Sequence, residues 1–241
     1  MLKIEHTNNS YILQPQDCAM KITHNWFRVE YWRQKEAIIT SKQGRAPAWF
    51  IEYQENQIGV LKHYWRGGLI GRVLSDQYLF VGLTHTRVYK EFKLLTELKT
   101  LNLPVPAPIA AYVETHFGIY RADILTEAIS GAKSLCEVLR QRVADNVELQ
   151  AVGRTIAEFH NNGVYHDDLN INNVLFDKQG VVHLIDFDKG DIREQETTWQ
   201  QANIDRLERS FKKEASKWPA FFFEKRHWQT LHNAYKAHLN S

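Results

Sequence analysis

The sequence is poor in the features that mark secreted, membrane-spanning and metal-scaffold proteins. It has two cysteines, Cys18 and Cys136, and their separation matches neither a disulfide framework nor a cysteine-based metal site. No run of about 18 apolar residues is present, which excludes a membrane-spanning helix. The first residues, Met1 to His6, lack the apolar core of a signal peptide. These absences favour a reducing, cytosolic environment.

The chain also carries little excess charge. Its formal net charge is +2 in 241 residues, so a broad basic face for duplex DNA is not expected and no nucleic-acid partner is predicted. No feature of the sequence implies a protein partner either. The charge is uneven, however, because the stretch from Trp199 to the end holds eight Lys and Arg against four Asp and Glu. Two interpretations of this basic tail stay open: a solvated face, or a surface near an anionic partner.

The first half of the chain has the pattern of an antiparallel sheet with one helix. Residues 48–53 and 57–64 are rich in aromatic and β-branched residues and flank a short polar turn, which predicts a hairpin. A helix is predicted from Arg87 to Leu101, because Val88, Phe92, Leu95 and Leu98 form one apolar face, and Pro104 follows its end. Two further strands are predicted at residues 109–113 and 118–125.

The second half has a helical pattern. A linker is predicted from Thr126 to Lys133, and Asp145 with Glu148 resembles a helix-capping pair. An apolar stripe of Leu149, Val152, Ile156 and Phe159 follows. The fold class is therefore α+β, with a sheet-rich N-terminal lobe over residues 1–127 and a helical C-terminal lobe over residues 128–241. A ligand-binding cleft between the two lobes is expected.

The polar residues with the clearest chemical pattern lie in the second half. Asp168 is in a loop, Asn173 directly precedes a predicted strand, and Asp186 directly follows its partner strand, Val181 to Ile185. A turn at residues 177–180 makes these strands an antiparallel hairpin, whose geometry brings its two ends together. Carboxylate and amide oxygens suit Mg²⁺, and another carboxylate nearby suits proton transfer from a hydroxyl group. The combination predicts phosphoryl transfer.

This stretch resembles the catalytic and metal-binding loops of the protein-kinase superfamily. The resemblance rests on His166-x-Asp168-x-x-x-x-Asn173 and on Asp186-Phe187 at the end of a strand. It implies a two-lobed kinase fold that uses ATP and Mg²⁺. It further implies that Asp168 is the catalytic base, that Asn173 and Asp186 hold Mg²⁺, and that His166 supports the loop.

The same resemblance assigns roles to residues upstream. Lys62, at the end of Val60-Leu61-Lys62, is implied to contact the α- and β-phosphates, and Glu91 on the first long helix to pair with it. Gly44 lies in the loop implied to cover the phosphates. Glu127 and Ile129 belong to the segment implied to receive adenine. A plain edge-strand lysine at Lys62 and a solvated Glu91, with Glu97 and Glu114 as other acids nearby, stay open as alternatives.

The chain departs from protein kinases and is similar to another branch of the superfamily. Asp167 stands where protein kinases have Arg, Asp188 stands where they have Gly, and 55 residues follow Asp186. The chain instead resembles the lipopolysaccharide kinase branch, in particular kinases of the sugar 3-deoxy-D-manno-octulosonic acid (Kdo). The matching segments are His63-Tyr64-Trp65-Arg66-Gly67-Gly68-Leu69, Leu103-Pro104-Val105-Pro106-Ala107-Pro108, Ala122-Asp123-Ile124-Leu125-Thr126-Glu127, His166-Asp167-Asp168-Leu169-Asn170 and Arg206-Leu207-Glu208-Arg209-Ser210.

This resemblance implies phosphorylation of a Kdo hydroxyl on a lipid A precursor, at the cytoplasmic face of a Gram-negative inner membrane. A basic tail with Arg206, Trp218 and Phe221 to Phe223 is consistent with contact to an anionic bilayer, although the phenylalanines also suit a core. Other acceptors, a core heptose or another small alcohol, stay open. So do two non-kinase interpretations: a pseudokinase, and a metal-dependent phosphohydrolase with His160, His166, Asp167 and Asp186 as ligands.

Overall fold

The computed structural model describes residues 2–42, 47–66 and 76–240. The chain divides into two compact units. The first comprises Met1–Glu97 and Pro106–Ala128, and the second comprises Leu98–Val105 and Ile129–Ser241. The predicted α+β class is confirmed, because an antiparallel sheet dominates the first unit and helices dominate the second.

The sheet of the first unit is built from eight described strands. Seven follow the order β1-β2-β7-β8-β5-β4-β3, and β6 pairs with the remaining length of β8. Their bounds are β1 Leu2–Thr7, β2 Ser10–Pro15, β3 Ile38–Lys42, β4 Ala48–Gln54, β5 Gln57–His63, β6 Tyr78–Leu79, β7 Pro108–His116 and β8 Ile119–Glu127. The predicted hairpin of β4 and β5 is confirmed, and Asn56 turns its corner with a φ of +58°.

Strand β8 extends further than the sequence pattern predicted. Thr126 pairs with Val60 and Glu127 pairs with Gly59, so the predicted linker start at Thr126 is wrong. The reason is tertiary: the backbone of β5 provides ladder partners for two more residues, whatever their side-chain pattern. The segment that leaves the sheet begins at Ala128, whose N–H still donates to the Ile58 carbonyl at 2.8 Å.

Helices cover the sheet of the first unit. The short α1, Val29–Gln34, buries Trp32, which packs with Phe27, Ile51 and Leu61 in the core. The longer α2, Arg87–Thr100, has the predicted apolar stripe, and all four of its residues are buried. It ends where Asn102 adopts a φ of +57° and the Leu103 N–H donates to the Leu98 carbonyl.

The second unit is mainly helical. Its helices are α3 Leu135–Gln141, α4 Asn146–Asn161, α5 Thr197–Ala215 and α6 Lys225–His238, and its short strands are β9 Lys133–Ser134, β10 Val164–Tyr165, β11 Val174–Phe176, β12 Val182–Leu184 and β13 Asp191–Ile192. The predicted cap of α4 is confirmed, since Asp145 and Glu148 form a reciprocal capping box. Among the described residues, no helix is long and apolar enough to cross a membrane.

Helices α4 and α6 pack with almost no space between their backbones at Gly153. A Cβ atom at this position would lie 2.3 Å from the Leu231 carbonyl oxygen and 2.8 Å from the Tyr235 nitrogen. Both are backbone atoms, which cannot rotate away as a flexible side chain can. Gly153 therefore sets how closely the two helices approach.

Candidate active site

The predicted polar hairpin is formed by β11 and β12. Val174 pairs with Leu184 and Phe176 pairs with Val182. The turn between them is held by Asp177, whose Oδ1 accepts hydrogen bonds from the backbone N–H groups of Gln179 and Val181. Antiparallel pairing continues past the strand ends, because the Ile185 N–H donates to the Asn173 carbonyl at 3.1 Å. Asn173 thus lies opposite Ile185, and Asp186 is the next residue.

The loop before β11 is bonded to the same asparagine. Asn173 Nδ2 donates to the Asp168 carbonyl at 2.9 Å, and Asn170 Nδ2 donates to the same carbonyl at 2.9 Å. Asn173 is 8% exposed, so its amide is held in place by burial as well as by this bond. The structure therefore brings the backbone of Asp168, Asn173 and Asp186 together around one buried amide.

Asp186 has an unusual backbone conformation. Its φ is +66°, in the left-handed region that L-residues with a side chain seldom adopt. Such a conformation costs about 1–3 kcal/mol and tends to occur at functional sites. It is fixed by the next residue, because Phe187 is fully buried, stacks on Phe159 at 5.9 Å and contacts the His166 ring at 4.7 Å. The buried phenylalanine anchors the turn that presents Asp186.

His166 connects the loop to the hairpin. Its Nδ1 accepts a hydrogen bond from the Asp168 N–H at 3.2 Å, so Nε2 carries the proton and donates to the Ile185 carbonyl at 2.9 Å. Burial lowers the pKa of His166, against the opposing effect of its bond to Ile185, and this keeps the ring neutral. With both nitrogens engaged, His166 is a support for the loop and not a metal ligand.

Helix α5 holds the same loop from the other side. Asn203 Oδ1 accepts from the His166 N–H at 3.2 Å, and Ser210 Oγ accepts from the Ile171 N–H at 3.1 Å. Between them, Arg206 Nη1 lies 2.9 Å from Asp168 Oδ1. Asn203 was missed in the sequence. Its sequence signal was weak, because residues 203, 206 and 210 share a helix face beside the apolar Leu207, but polar residues on a helix normally indicate a solvated face.

The upstream candidates are placed on the first unit. Lys62 is on β5, and Tyr64, two residues later, continues the same ladder, because its N–H donates to the Ala122 carbonyl. The Tyr64 hydroxyl donates to Glu91 Oε2, and Glu91 is 5% exposed on α2. Residues two apart in a strand share a face, so Lys62 lies on the face of β5 that α2 covers. The solvated alternative for Glu91 is wrong.

Glu127 and Ile129 lie on either side of the point where the chain leaves the sheet. The Glu127 N–H donates to the Ala107 carbonyl at 2.8 Å, and the Ile129 carbonyl accepts from the Ala132 N–H. These bonds use the Glu127 N–H and the Ile129 carbonyl. The candidate groups for adenine are therefore the Glu127 carbonyl and the Ile129 N–H. Gly44 lies outside the described residues, as do Gly67 and Gly68 of the segment that resembles the lipopolysaccharide kinase branch.

The phosphohydrolase interpretation places its ligands on His160 and His166, and the structure gives both another role. His160 Nδ1 is hydrogen-bonded to the Tyr235 hydroxyl at 2.8 Å, and burial lowers the pKa of His160 to about 4. Within the described parts of the chain, no three His, Cys, Asp or Glu residues are grouped to hold a metal ion. The pair of histidines is structural.

The aromatic tail is divided between core and surface. Phe223 stacks on the buried Phe211 at 4.3 Å, whereas Phe222 is 43% exposed. Trp218 lies beneath the Arg140 guanidinium at 3.4 Å. Arg206 of the basic tail is paired with Asp168 and is 46% exposed.

Comparison with known proteins gives a consistent result over most of the chain. A family model described as "Lipopolysaccharide kinase (Kdo/WaaP) family" matches residues 29–235. A protein of Vibrio cholerae serotype O1 named 3-deoxy-D-manno-octulosonic acid kinase is 42% identical over 188 residues, 78% of this chain and 79% of that protein. A Mannheimia succiniciproducens protein of the same name is 37% identical over 243 aligned positions, 98% of this chain and 100% of that protein.

Proposed function

Because the chain belongs to the lipopolysaccharide kinase (Kdo/WaaP) family, we propose that it transfers the γ-phosphate of ATP to a hydroxyl group of Kdo on a lipid A precursor. This reaction is a step in building the inner core of lipopolysaccharide. One observation carries the proposal: Asn173 is bonded to the Asp168 carbonyl through its side chain and to Ile185, the neighbour of Asp186, through its backbone. Asp168, Asn173 and Asp186, the proposed active-site residues, therefore belong to one hydrogen-bonded arrangement.

In the proposed reaction, Asp168 accepts the proton of the attacking hydroxyl. The oxygen of that hydroxyl forms a bond to the γ-phosphorus, and the bond between this phosphorus and the bridging oxygen of ADP breaks. Asp168 suits the role because its side chain is 55% exposed and can reach a substrate, while its backbone is held by His166, Asn170 and Asn173. A positioned base of this kind contributes about 10²–10⁴-fold to the rate.

Asn173 and Asp186 are the proposed Mg²⁺ ligands. Because the Asn173 Nδ2 donates to the Asp168 carbonyl, the Oδ1 of Asn173 points the other way and can act as a ligand. Asp186 adds a carboxylate. Two oxygen ligands fit Mg²⁺, which keeps several waters and shares phosphate oxygens, and when bound it neutralises phosphate charge.

The first unit is proposed to supply the nucleotide contacts. Lys62 contacts the α- and β-phosphates, and Glu91 pairs with Lys62. Support for the second role is that Glu91 is buried and accepts a hydrogen bond from the Tyr64 hydroxyl, two residues from Lys62. The Glu127 carbonyl and the Ile129 N–H are proposed to accept from and donate to adenine.

We propose a peripheral place on the cytoplasmic face of the inner membrane, where the lipid-linked acceptor resides. Support comes from the second unit, where exposed Trp218 and Phe222 adjoin the basic Arg140 and Lys217. Cations beside exposed aromatic rings favour the interface of an anionic bilayer.

The proposal is tested by incubating the purified protein with γ-labelled ATP and Mg²⁺ in the presence of one acceptor at a time. The acceptors are Kdo-lipid A, the same molecule extended with heptose, lipid A without Kdo, and a peptide. We expect label in the Kdo sugar of Kdo-lipid A and none in lipid A alone. Label on heptose would identify a core heptose as the acceptor instead of Kdo, and label in no acceptor would contradict the proposal.

A further inference from the structure

Three basic side chains surround the loop that carries Asp168. Arg206 Nη1 lies 2.9 Å from Asp168 Oδ1, and Lys189 Nζ lies 4.0 Å from Asp167 Oδ2. The Arg193 guanidinium stacks on Tyr165 at 3.6 Å, and the Tyr165 hydroxyl donates to Asp167 at 3.1 Å. Arg193 in turn lies beside Asp191, so each of these cations faces a carboxylate, and Arg206 is the cation that adjoins Asp168.

The Arg206–Asp168 ion pair is poorly explained as a stabilising contact. The side chains are 46% and 55% exposed, and an ion pair with this access to water contributes little to folding stability. The same exposure lets a ligand reach both groups. A guanidinium has five N–H donors in a planar fork that matches a carboxylate in two parallel hydrogen bonds, so Arg206 can exchange one carboxylate for another at small cost.

The position of Arg206 is nevertheless set by hydrogen bonds between α5 and the loop. Asn203 and Ser210, on the same face of α5, each accept a backbone N–H of the loop, from His166 and Ile171 respectively. These two bonds set the helix in register with the loop, and Arg206 lies between them. The guanidinium is thereby held beside Asp168 by a rigid element, as a recognition group requires.

We propose that Arg206 binds the carboxylate of the acceptor sugar and selects an acidic sugar over a neutral one. This inference rests on the proposed function, because Kdo is an octulosonic acid and carries a carboxylate that a heptose lacks. In the free protein the Asp168 carboxylate occupies the guanidinium. In the complex the sugar carboxylate takes that place, and Asp168 is released to accept the hydroxyl proton.

The test is a cycle that combines one protein change with one substrate change. Initial rates are measured for the wild type and R206Q with Kdo-lipid A, and with the same acceptor after methyl esterification of the Kdo carboxylate. R209Q is the matched control, because Arg209 is an exposed arginine on the same helix and the structure gives it no part in the loop. Unfolding midpoints of the two variants establish that both are folded.

With the free acid, we expect R206Q to raise the acceptor KM about 10- to 100-fold, the range for one charge-assisted contact, and to leave the KM for ATP within about twofold. Esterification should raise the KM of the wild type and R209Q similarly and should have little further effect on R206Q. Lipid A phosphates are unchanged by esterification, so they cannot produce this pattern.

Three outcomes would overturn the proposal: equal use of acid and ester by the wild type, an equal loss in R206Q with both acceptors, or a loss in R206Q confined to the KM for ATP. Calorimetric titration of free Kdo tests the carboxylate site separately from the proposed reaction, because binding can be measured without turnover. Binding of Kdo that R206Q weakens, and R209Q does not, supports the carboxylate site even if no phosphate is transferred. Equal binding by all three proteins contradicts it.

Discussion

Replacement of Asn173 by Asp separates its proposed role as a magnesium ligand from the hydrogen bond that its side chain donates to Asp168. As a magnesium ligand alone, Asn173 should tolerate the change, because a carboxylate is a stronger ligand than an amide. The structure gives it a second role, since Nδ2 donates to the Asp168 carbonyl at 2.9 Å from a site that is 8% exposed. N173D puts an acceptor where the donor was, so two oxygens face each other in a buried place.

The size of the effect follows from burial. Loss of a buried hydrogen bond costs about 1–3 kcal/mol, and the added buried charge moves N173D toward the upper end, about 3 kcal/mol. Asn170 is half-buried and donates to the same carbonyl at the same distance through a hydrogen bond that water can reach, so N170D removes an equivalent donor where water replaces it. We expect N170D to cost about 0.5 kcal/mol or less.

Urea unfolding at pH 7 measures both variants, and the rate of phosphate transfer measures the consequence for Asp168. N173D should lose about 100-fold in turnover, since a small displacement of a reacting group is costly. Its stability deficit should shrink at low pH, where a protonated carboxyl regains a donor. If N173D and N170D unfold at the same urea concentration, the bond to Asp168 is not what holds this loop.

Three further predictions follow from the second unit. G153A should destabilise the protein by about 1–3 kcal/mol in urea unfolding, because the added Cβ would lie 2.3 and 2.8 Å from backbone atoms of α6. The control R154A changes an exposed residue of α4 and should leave stability unchanged, so equal unfolding midpoints for the two variants would contradict the close packing. D168A should lower turnover about 10²–10⁴-fold with ATP binding unchanged, and wild-type turnover in this variant would remove Asp168 from the reaction. Burial lowers the pKa of folded His160 to about 4 from an ordinary 6.5, so its contribution to stability, about 3 kcal/mol, is present above pH 6.5 and is lost as pH falls through 4. H160N should therefore make the free energy of unfolding in urea less dependent on pH between 7 and 4. An unchanged pH dependence in H160N would contradict this role of His160.

The parts of the fold that the sequence predicted are those with local causes. The β11–β12 hairpin follows from a turn at Asp177 and an apolar strand, and α2 and α4 follow from apolar stripes with a stop at Asn102 and a cap at Asp145. In each case, residues within a few positions of each other decide the structure. The proximity of Asn173 and the residue before Asp186 was predictable for the same reason, because both flank one short hairpin.

The parts that were missed have distant causes. The last residues of β8 take their structure from β5, and strands of two residues such as β10 and β13 exist only because the partner is there. Asn203 is polar in a helix, a pattern that normally indicates a solvated face, and only the loop packed against α5 makes it a buried acceptor. The Arg206 pairing was missed because charge counting assigns a basic residue to a surface without naming its partner.

Titration of ATP with and without Mg²⁺ tests most directly the proposed role of Asp186 as a magnesium ligand for a bound nucleotide. The proteins to compare are the wild type, D186N and D191N, the last being a matched loss of one charge at an exposed aspartate of the same unit. We predict that Mg²⁺ strengthens ATP binding to the wild type and D191N and has no effect on D186N. An equal response to Mg²⁺ in all three proteins would contradict the account.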